Sequence, residues 1–267
     1  PYFPEYEFYI EGHAGVVQIV PTNGEFQIDV EAVERVMAAD VEAVIINSPN
    51  NPTGRVYSAE RLAEVGKALA DAESRFGRPI YLISDEPYRK IVYDVEVPSL
   101  FDAHPSSVVC CSHSKDLGLP GERIGYAAIN PDCPGAERLY GAMAFTNRIL
   151  GFVNAPALMQ RVVAHHQSTC IDPEIYRRKR DVFVKGLREA GYDLIEPEGA
   201  FYLFPKTPIP DDVEFSRILA SHLVLAVPGV GFGRGGYIRI AYCVDDATIE
   251  GALPRFAEAL HDAERAA

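Results

Sequence analysis

The sequence predicts an α/β fold in which a mainly parallel sheet forms a large domain, followed by a smaller C-terminal α+β domain. Two observations carry that prediction. Through the first half, short β-branched or apolar runs alternate with amphipathic stretches of helical length, the pattern of strands joined by crossover helices. After Cys133 the pattern turns helical, and from Gly199 short strands return with helices between and after them. The expected junction places residues 1–165 in the large domain and 166–267 in the small one.

Composition bounds what such a chain can do. With 48% hydrophobic and 24% charged residues, its 267 residues have ordinary globular composition and can bury a full core. A formal net charge of −13 argues against nucleic acid or an anionic membrane as partner. The five cysteines are odd in number and lack metal-like spacing, which favours a reducing compartment over a disulfide framework, and no metal site is expected. No apolar run approaches the roughly 20 residues of a membrane span, and no charged-then-apolar leader is seen, so cytoplasm is the expected location.

Taken in order, Pro1 to Tyr9 is dense in aromatics and begins in mid-stride; Tyr2 to Tyr9 are expected to be exposed or paired with another chain. Val16–Val20 reads as a strand stopped by Pro21, with a turn at Asn23-Gly24. Asp29 caps a helix over Val30–Ala39. The run Val41–Asn47 reads as a buried parallel strand leading into Ser48-Pro49-Asn50-Asn51-Pro52-Thr53-Gly54, a rigid polar loop that is either a turn or a ligand-facing turn. Ser58 caps a helix through Asp71, and Ile80–Ser84 forms a strand that delivers Asp85-Glu86-Pro87-Tyr88. Asp85 is there a helix cap or a ligand group.

Ser107–Cys111 is a further buried strand, and Ser112-His113-Ser114-Lys115 follows it. An ammonium just past a strand end either is simply solvated, the commoner case for a single Ser-Lys pair, or must meet anions or lose its proton, and a neutral amine is what attacks a carbonyl. Ser112, Ser114 and Arg123 beside it suit a phosphate. Arg123–Ile129 is another strand. Helices follow over Ala136–Thr146, Ala155–His166 and Pro173–Ala190. His165-His166 point apart on their helix and favour the surface, and the run Arg177 to Arg180 reads as a solvated helix face. Gly199–Phe204, Val224–Val227 and Tyr237–Ala241 are short strands. Arg239, flanked by Ile238 and Ile240, meets either an anion or an internal salt bridge.

These motifs, Asn50-Asn51-Pro52-Thr53-Gly54, Asp85-Glu86-Pro87-Tyr88, Ser112 to Lys115 through Arg123-Ile124-Gly125, and Tyr237-Ile238-Arg239, occur in an order that resembles the class I/II aminotransferases, pyridoxal phosphate enzymes of fold type I. The resemblance covers essentially the whole chain. It implies that Lys115 forms the Schiff base with the cofactor and shuttles the substrate's α-proton. Asp85 would pair with the pyridinium nitrogen. Asn51 and Tyr88 would donate to the phenolic oxygen, and Ser112, Ser114 and Arg123 would hold the phosphate. Arg239 would clamp the substrate's α-carboxylate. The implied activity moves an amino group between an amino acid and a 2-oxo acid, in a homodimer. A fold-type-I lyase or decarboxylase, and a non-catalytic cofactor-binding remnant, are the alternatives. The substrate side chain is not legible. The family's N-terminal part, with the rest of the phosphate cup and a ring-stacking aromatic, is not found before Pro1. The large domain is therefore expected to be incomplete, and cofactor binding by these residues alone to be weak.

Overall fold

The computed structural model describes residues 1–266. Its larger sheet has four strands in sequence order: β1 (Ala43–Asn47), β2 (Tyr81–Asp85), β3 (Ser107–Ser112) and β4 (Gly125–Ile129). The first three are parallel, with Asn47 opposite Asp85 and Asp85 opposite Cys110. β4 runs antiparallel to β3 and sets Gly125 opposite Ser112. The carboxyl ends of three parallel strands therefore share one edge, where open α/β sheets place ligands.

Two helices, α2 (Val30–Val36) and α3 (Ala59–Phe76), close a core of Val33, Ile46, Leu62, Val65, Leu69, Ile80, Leu82 and Leu100. Ser58 caps α3 by accepting from the Arg61 N–H at 3.2 Å. The helix runs past Asp71 because its apolar stripe continues to Ala72, and it ends where Gly77 adopts φ 70°, a left-handed conformation that costs glycine little. Within it Gly66 permits close approach, since a Cβ there would lie 1.9 Å from the Ala103 carbonyl oxygen. α2 is shorter than its pattern, because Met37 turns to extended backbone.

Other expectations are corrected. Val16–Val20 forms no strand among the described residues; no neighbour pairs with it, and Val16 is almost fully exposed. The opening aromatics lie in and before a helix, α1 (Glu5–Glu11), and only Phe8 and Tyr9 of them are exposed. Tyr2, Phe3 and Tyr6 are half-buried, and the Tyr2 N–H donates to the Phe232 carbonyl at 3.1 Å.

Lys115 lies on a one-turn helix, α4 (His113–Asp116). Beyond β4 come α5 (Ala136–Ile149) and α6 (Ala157–His165). α5 buries none of its residues: Tyr140, Phe145 and Ile149 stand exposed, as do Phe152 and Leu158 after it.

The second sheet is antiparallel, with β5 (Tyr202–Leu203), β7 (Ile238–Ala241) and β6 (Val227–Pro228) in that spatial order. Around it α7 (Pro173–Glu189), α8 (Asp212–Ser221) and α9 (Asp246–Ala266) bury Phe183, Leu187, Leu203, Phe215, Leu219, Ile238 and Phe256. Tyr88, Ile91 and Tyr93, from the stretch after β2, join the same cluster. The basic run on α7 is not wholly solvated. Helical period puts Arg180 on the face of Phe183, Val184 and Leu187, so it is buried, stacked 4.8 Å from the Tyr93 ring centroid and paired with Asp181 at 2.7 Å.

Candidate active site

The shared strand edge assembles the site. After β1, the Asn51 N–H donates to Asn47 Oδ1 at 2.7 Å, which pins the loop to the strand. Gly54 follows at φ 69°, and its carbonyl accepts from the Glu198 and Gly199 N–H groups at 2.9 Å each. A Cβ on Gly54 would lie 2.3 Å from Pro197 Cβ, so glycine lets the segment before β5 dock on this loop.

At the end of β2, Asp85 Oδ2 accepts from the Tyr6 hydroxyl at 2.6 Å. Burial raises the Asp85 carboxyl above its ordinary value of 3.8, the Tyr6 hydrogen bond opposes that rise, and Glu86 adds to it. Such a carboxylate is set to receive a cationic donor. Tyr88 lies three residues on, its hydroxyl 2.8 Å from that of Tyr202 and its ring edge-on to Phe201. Burial pushes the Tyr88 phenol far up, so it stays a neutral hydroxyl.

Past β3, Ser112 caps α4, accepting from the Ser114 N–H at 3.2 Å and donating its hydroxyl to Ser114 Oγ at 2.8 Å. Lys115 is half-buried, with Nζ 5.8 Å from the Phe201 ring centroid. Arg123, in the left-handed region at φ 50°, is exposed and donates to the Pro120 carbonyl at 2.9 Å. Its guanidinium is thus turned to its own loop and not to the two serines.

Arg239 closes the constellation from β7. Its guanidinium lies between the rings of Tyr202 and Phe232, 4.7 Å from each centroid, and donates to Asn51 Oδ1 at 3.0 Å. Its Nε is buried without a hydrogen-bond partner. A flat, oriented cation with a buried spare donor suits a carboxylate.

A sequence model of the family described as "Aminotransferase class I and II" matches residues 1–256. The chain belongs to the class I and II aminotransferases. It is 33% identical to the probable aspartate/prephenate aminotransferase of Thermus aquaticus, over 97% of this chain and 68% of that protein. To the aspartate aminotransferase of Thermotoga maritima it is 31% identical, over 92% of this chain and 64% of the relative. Among solved structures, an aminotransferase from Eubacterium rectale superposes with a TM-score of 0.95 at 40% identity, over 98% of this chain and 66% of that one. The Thermus thermophilus aspartate aminotransferase with maleate gives 0.83 at 28% identity, over 97% of this chain and 68% of that one. The chain thus spans about two thirds of the length of these relatives. The family transfers amino groups between amino acids and 2-oxo acids with pyridoxal phosphate, and the architecture is that of fold type I.

For an aminotransferase of this family the donor set fits the cofactor at its reactive end. Asp85 offers a half-buried carboxylate, Lys115 an amine, and Asn51 and Tyr88 polar groups on the same edge. Three residues that contact these candidate groups carry no signal in the sequence. Tyr6, 79 positions from Asp85, carries no local signal for its hydrogen bond. Tyr202 and Phe232, which clamp Arg239, look like ordinary apolar residues of the small unit.

Proposed function

We propose that this aminotransferase works through Lys115, with Asp85, Asn51, Tyr88, Ser112 and Ser114 holding the cofactor and Arg239 holding the substrate. The supporting observation is the convergence of Asn51, Asp85 and Lys115 at three adjacent strand ends, with Arg239 joined to Asn51. Pyridoxal phosphate supplies, when bound, an aldehyde that captures amines and a ring that withdraws electrons. Asp85 keeps a proton on the ring nitrogen, so its charge matters more than its size. Tyr88 and the Asn51 amide serve the phenolic oxygen. The Ser112 and Ser114 hydroxyls serve the phosphate, with Arg123 joining them once its guanidinium leaves Pro120. Arg239 grips the α-carboxylate and so orients the bond to the α-hydrogen, and Lys115 Nζ takes that proton. Incubating the protein with pyridoxal phosphate and amino acids should yield 2-oxo acid from the donor. Release of ammonia or carbon dioxide in its place would reject the reading in favour of lyase or decarboxylase chemistry.

Arg239→Lys should weaken amino-acid binding by about 2 kcal/mol, roughly thirtyfold, because a planar, forked cation is replaced by a point charge. A spectroscopic titration with an unreactive carboxylate checks this, and unchanged affinity in a folded variant rejects the role.

The reading extends to a homodimer in a reducing cytoplasm. Support for the dimer is the exposure of Phe145 and Ile149, one turn apart on α5, and of Tyr140, Phe152 and Leu158 near them in sequence, since exposed apolar residues in such number mark a partner surface. The five unpaired cysteines fit the compartment. Sedimentation should give twice the chain mass, with Phe145→Ser shifting the protein toward monomer; a parent sedimenting as monomer at tens of micromolar would overturn the dimer.

A further inference from the structure

The turn that carries Lys115 is fastened from behind by groups outside the substrate and cofactor set. Asp116 is 2% exposed, and its Oδ2 lies 3.0 Å from Lys90 Nζ and 3.2 Å from His113 Nδ1. Its Oδ1 is buried without a hydrogen-bond partner, and the residue lines a cavity of about 20 Å³, room for a single water. Lys90 reaches further. Its Nζ donates to the carbonyls of Gln167 at 2.7 Å and Thr169 at 3.2 Å. The Ile171 N–H donates to the Asp116 carbonyl at 2.6 Å. One ammonium, with three protons to give, thus meets one carboxylate and two carbonyls, and joins α4 to the connector between α6 and α7.

Two physical facts make this more than an ordinary ion pair. α4 is a single turn of four residues, too short to persist by its own hydrogen bonds, so its orientation is imposed by tertiary contacts. The carboxylate is buried, so losing its cation leaves a charge that the turn must move to resolve, whereas an exposed pair would be replaced by water at little cost.

We propose that Lys90 is a positioning residue for Lys115: by tying Asp116 to residues 167–171 it sets where the Lys115 amine stands. The placement of that amine is then coupled to the segment that leads into the small unit. This rests on the reading of Lys115 as the cofactor lysine.

The test compares the parent chain with Lys90→Met and Lys90→Arg. Each is incubated with pyridoxal phosphate, reduced with borohydride and mapped by mass spectrometry, with the exposed Lys185 as internal reference. Lys90→Met is expected to lower the ratio of label at Lys115 to label at Lys185 about tenfold, the cost of a displacement near 1 Å or less at a reacting group. Lys90→Arg should restore most of it. Amide exchange at Ile171 should quicken in Lys90→Met. An unchanged ratio alongside faster Ile171 exchange would leave Lys90 a merely structural tie and overturn the proposal. Equal losses in Lys90→Met and Lys90→Arg would overturn it as well. A parent labelled at Lys185 and not at Lys115 would overturn the assignment of Lys115 itself, and the inference with it. Where Lys90→Met does not fold, Asp116→Asn removes the charge at nearly constant size and gives the same comparison.

Discussion

Lys115→Ala is expected to abolish transamination, lowering the rate by about 10⁴-fold or more, equivalent to roughly 5.5 kcal/mol of barrier. The size of the effect follows from the double duty that the proposed function gives one amine, which would capture the cofactor and carry the α-proton. The other lysines do not offer a substitute. Lys90 is engaged by Asp116, Lys179 by the Val244 carbonyl, and Lys185 by Glu189 on the outer face of α7, while Lys67 on α3 and Lys206 are exposed to solvent. Lys115 instead stands at a strand end over the ring of Phe201, with Asp85 ending the neighbouring strand. Borohydride reduction and peptide mapping of the parent should place the label on Lys115. Label on a different lysine, or a Lys115→Ala variant with more than a hundredth of parental activity, would reject the assignment.

Asp85→Asn is expected to give two results of opposite sign. Turnover should fall by about a thousandfold, because an amide cannot hold charge opposite the ring nitrogen, and losing one preorganised electrostatic contact in a dry site costs on that order. The cofactor-free protein, by contrast, should become more stable at pH 7. Burial raises the folded-state pKa of Asp85 above 3.8, so the folded protein holds this proton more tightly than the unfolded chain does. The favourable contribution of that bound proton is complete below 3.8 and is lost as pH rises through the raised value. At neutral pH the buried charge therefore opposes folding, and the amide removes it. Each kcal/mol so recovered raises the melting temperature by roughly 2–4 °C in a chain of this size. Thermal scans of parent and variant should diverge at pH 7 and converge near pH 3.5. Parallel curves at both values would show that Asp85 carries no such strain.

What the sequence disclosed was chiefly what is written locally. Ser58 as cap, the apolar stripe of α3, and the β-branched runs of β1 to β3 each signal themselves within a few residues, and together they put Asn51, Asp85 and Lys115 at strand ends. The stretch from Val16 to Val20 has a strand's composition, but a strand exists only by pairing, and pairing is not a local property. Arg180 misled for a related reason: a run of four basic residues hides the helical period that turns one of them inward. The Tyr6 hydrogen bond to Asp85 and the aromatic clamp on Arg239 join residues brought close only by the finished fold, and no spacing rule reaches them. Function was legible earlier than geometry because chemistry constrains residue types more tightly than folding constrains their neighbours.

The helix α5, whose residues are all exposed or half-exposed, has a consequence for how long the protein lasts. A chain that presents Tyr140, Phe145 and Ile149 to water offers a docking surface to any chaperone or protease that samples it. In the proposed homodimer a partner covering these residues would withdraw them from quality control and add stability by mass action, so survival would depend on concentration as well as on the single chain's fold. Dilution would then shorten the protein's lifetime before any step of catalysis failed, and the abundance of the enzyme would report on how well this one helix is kept dry.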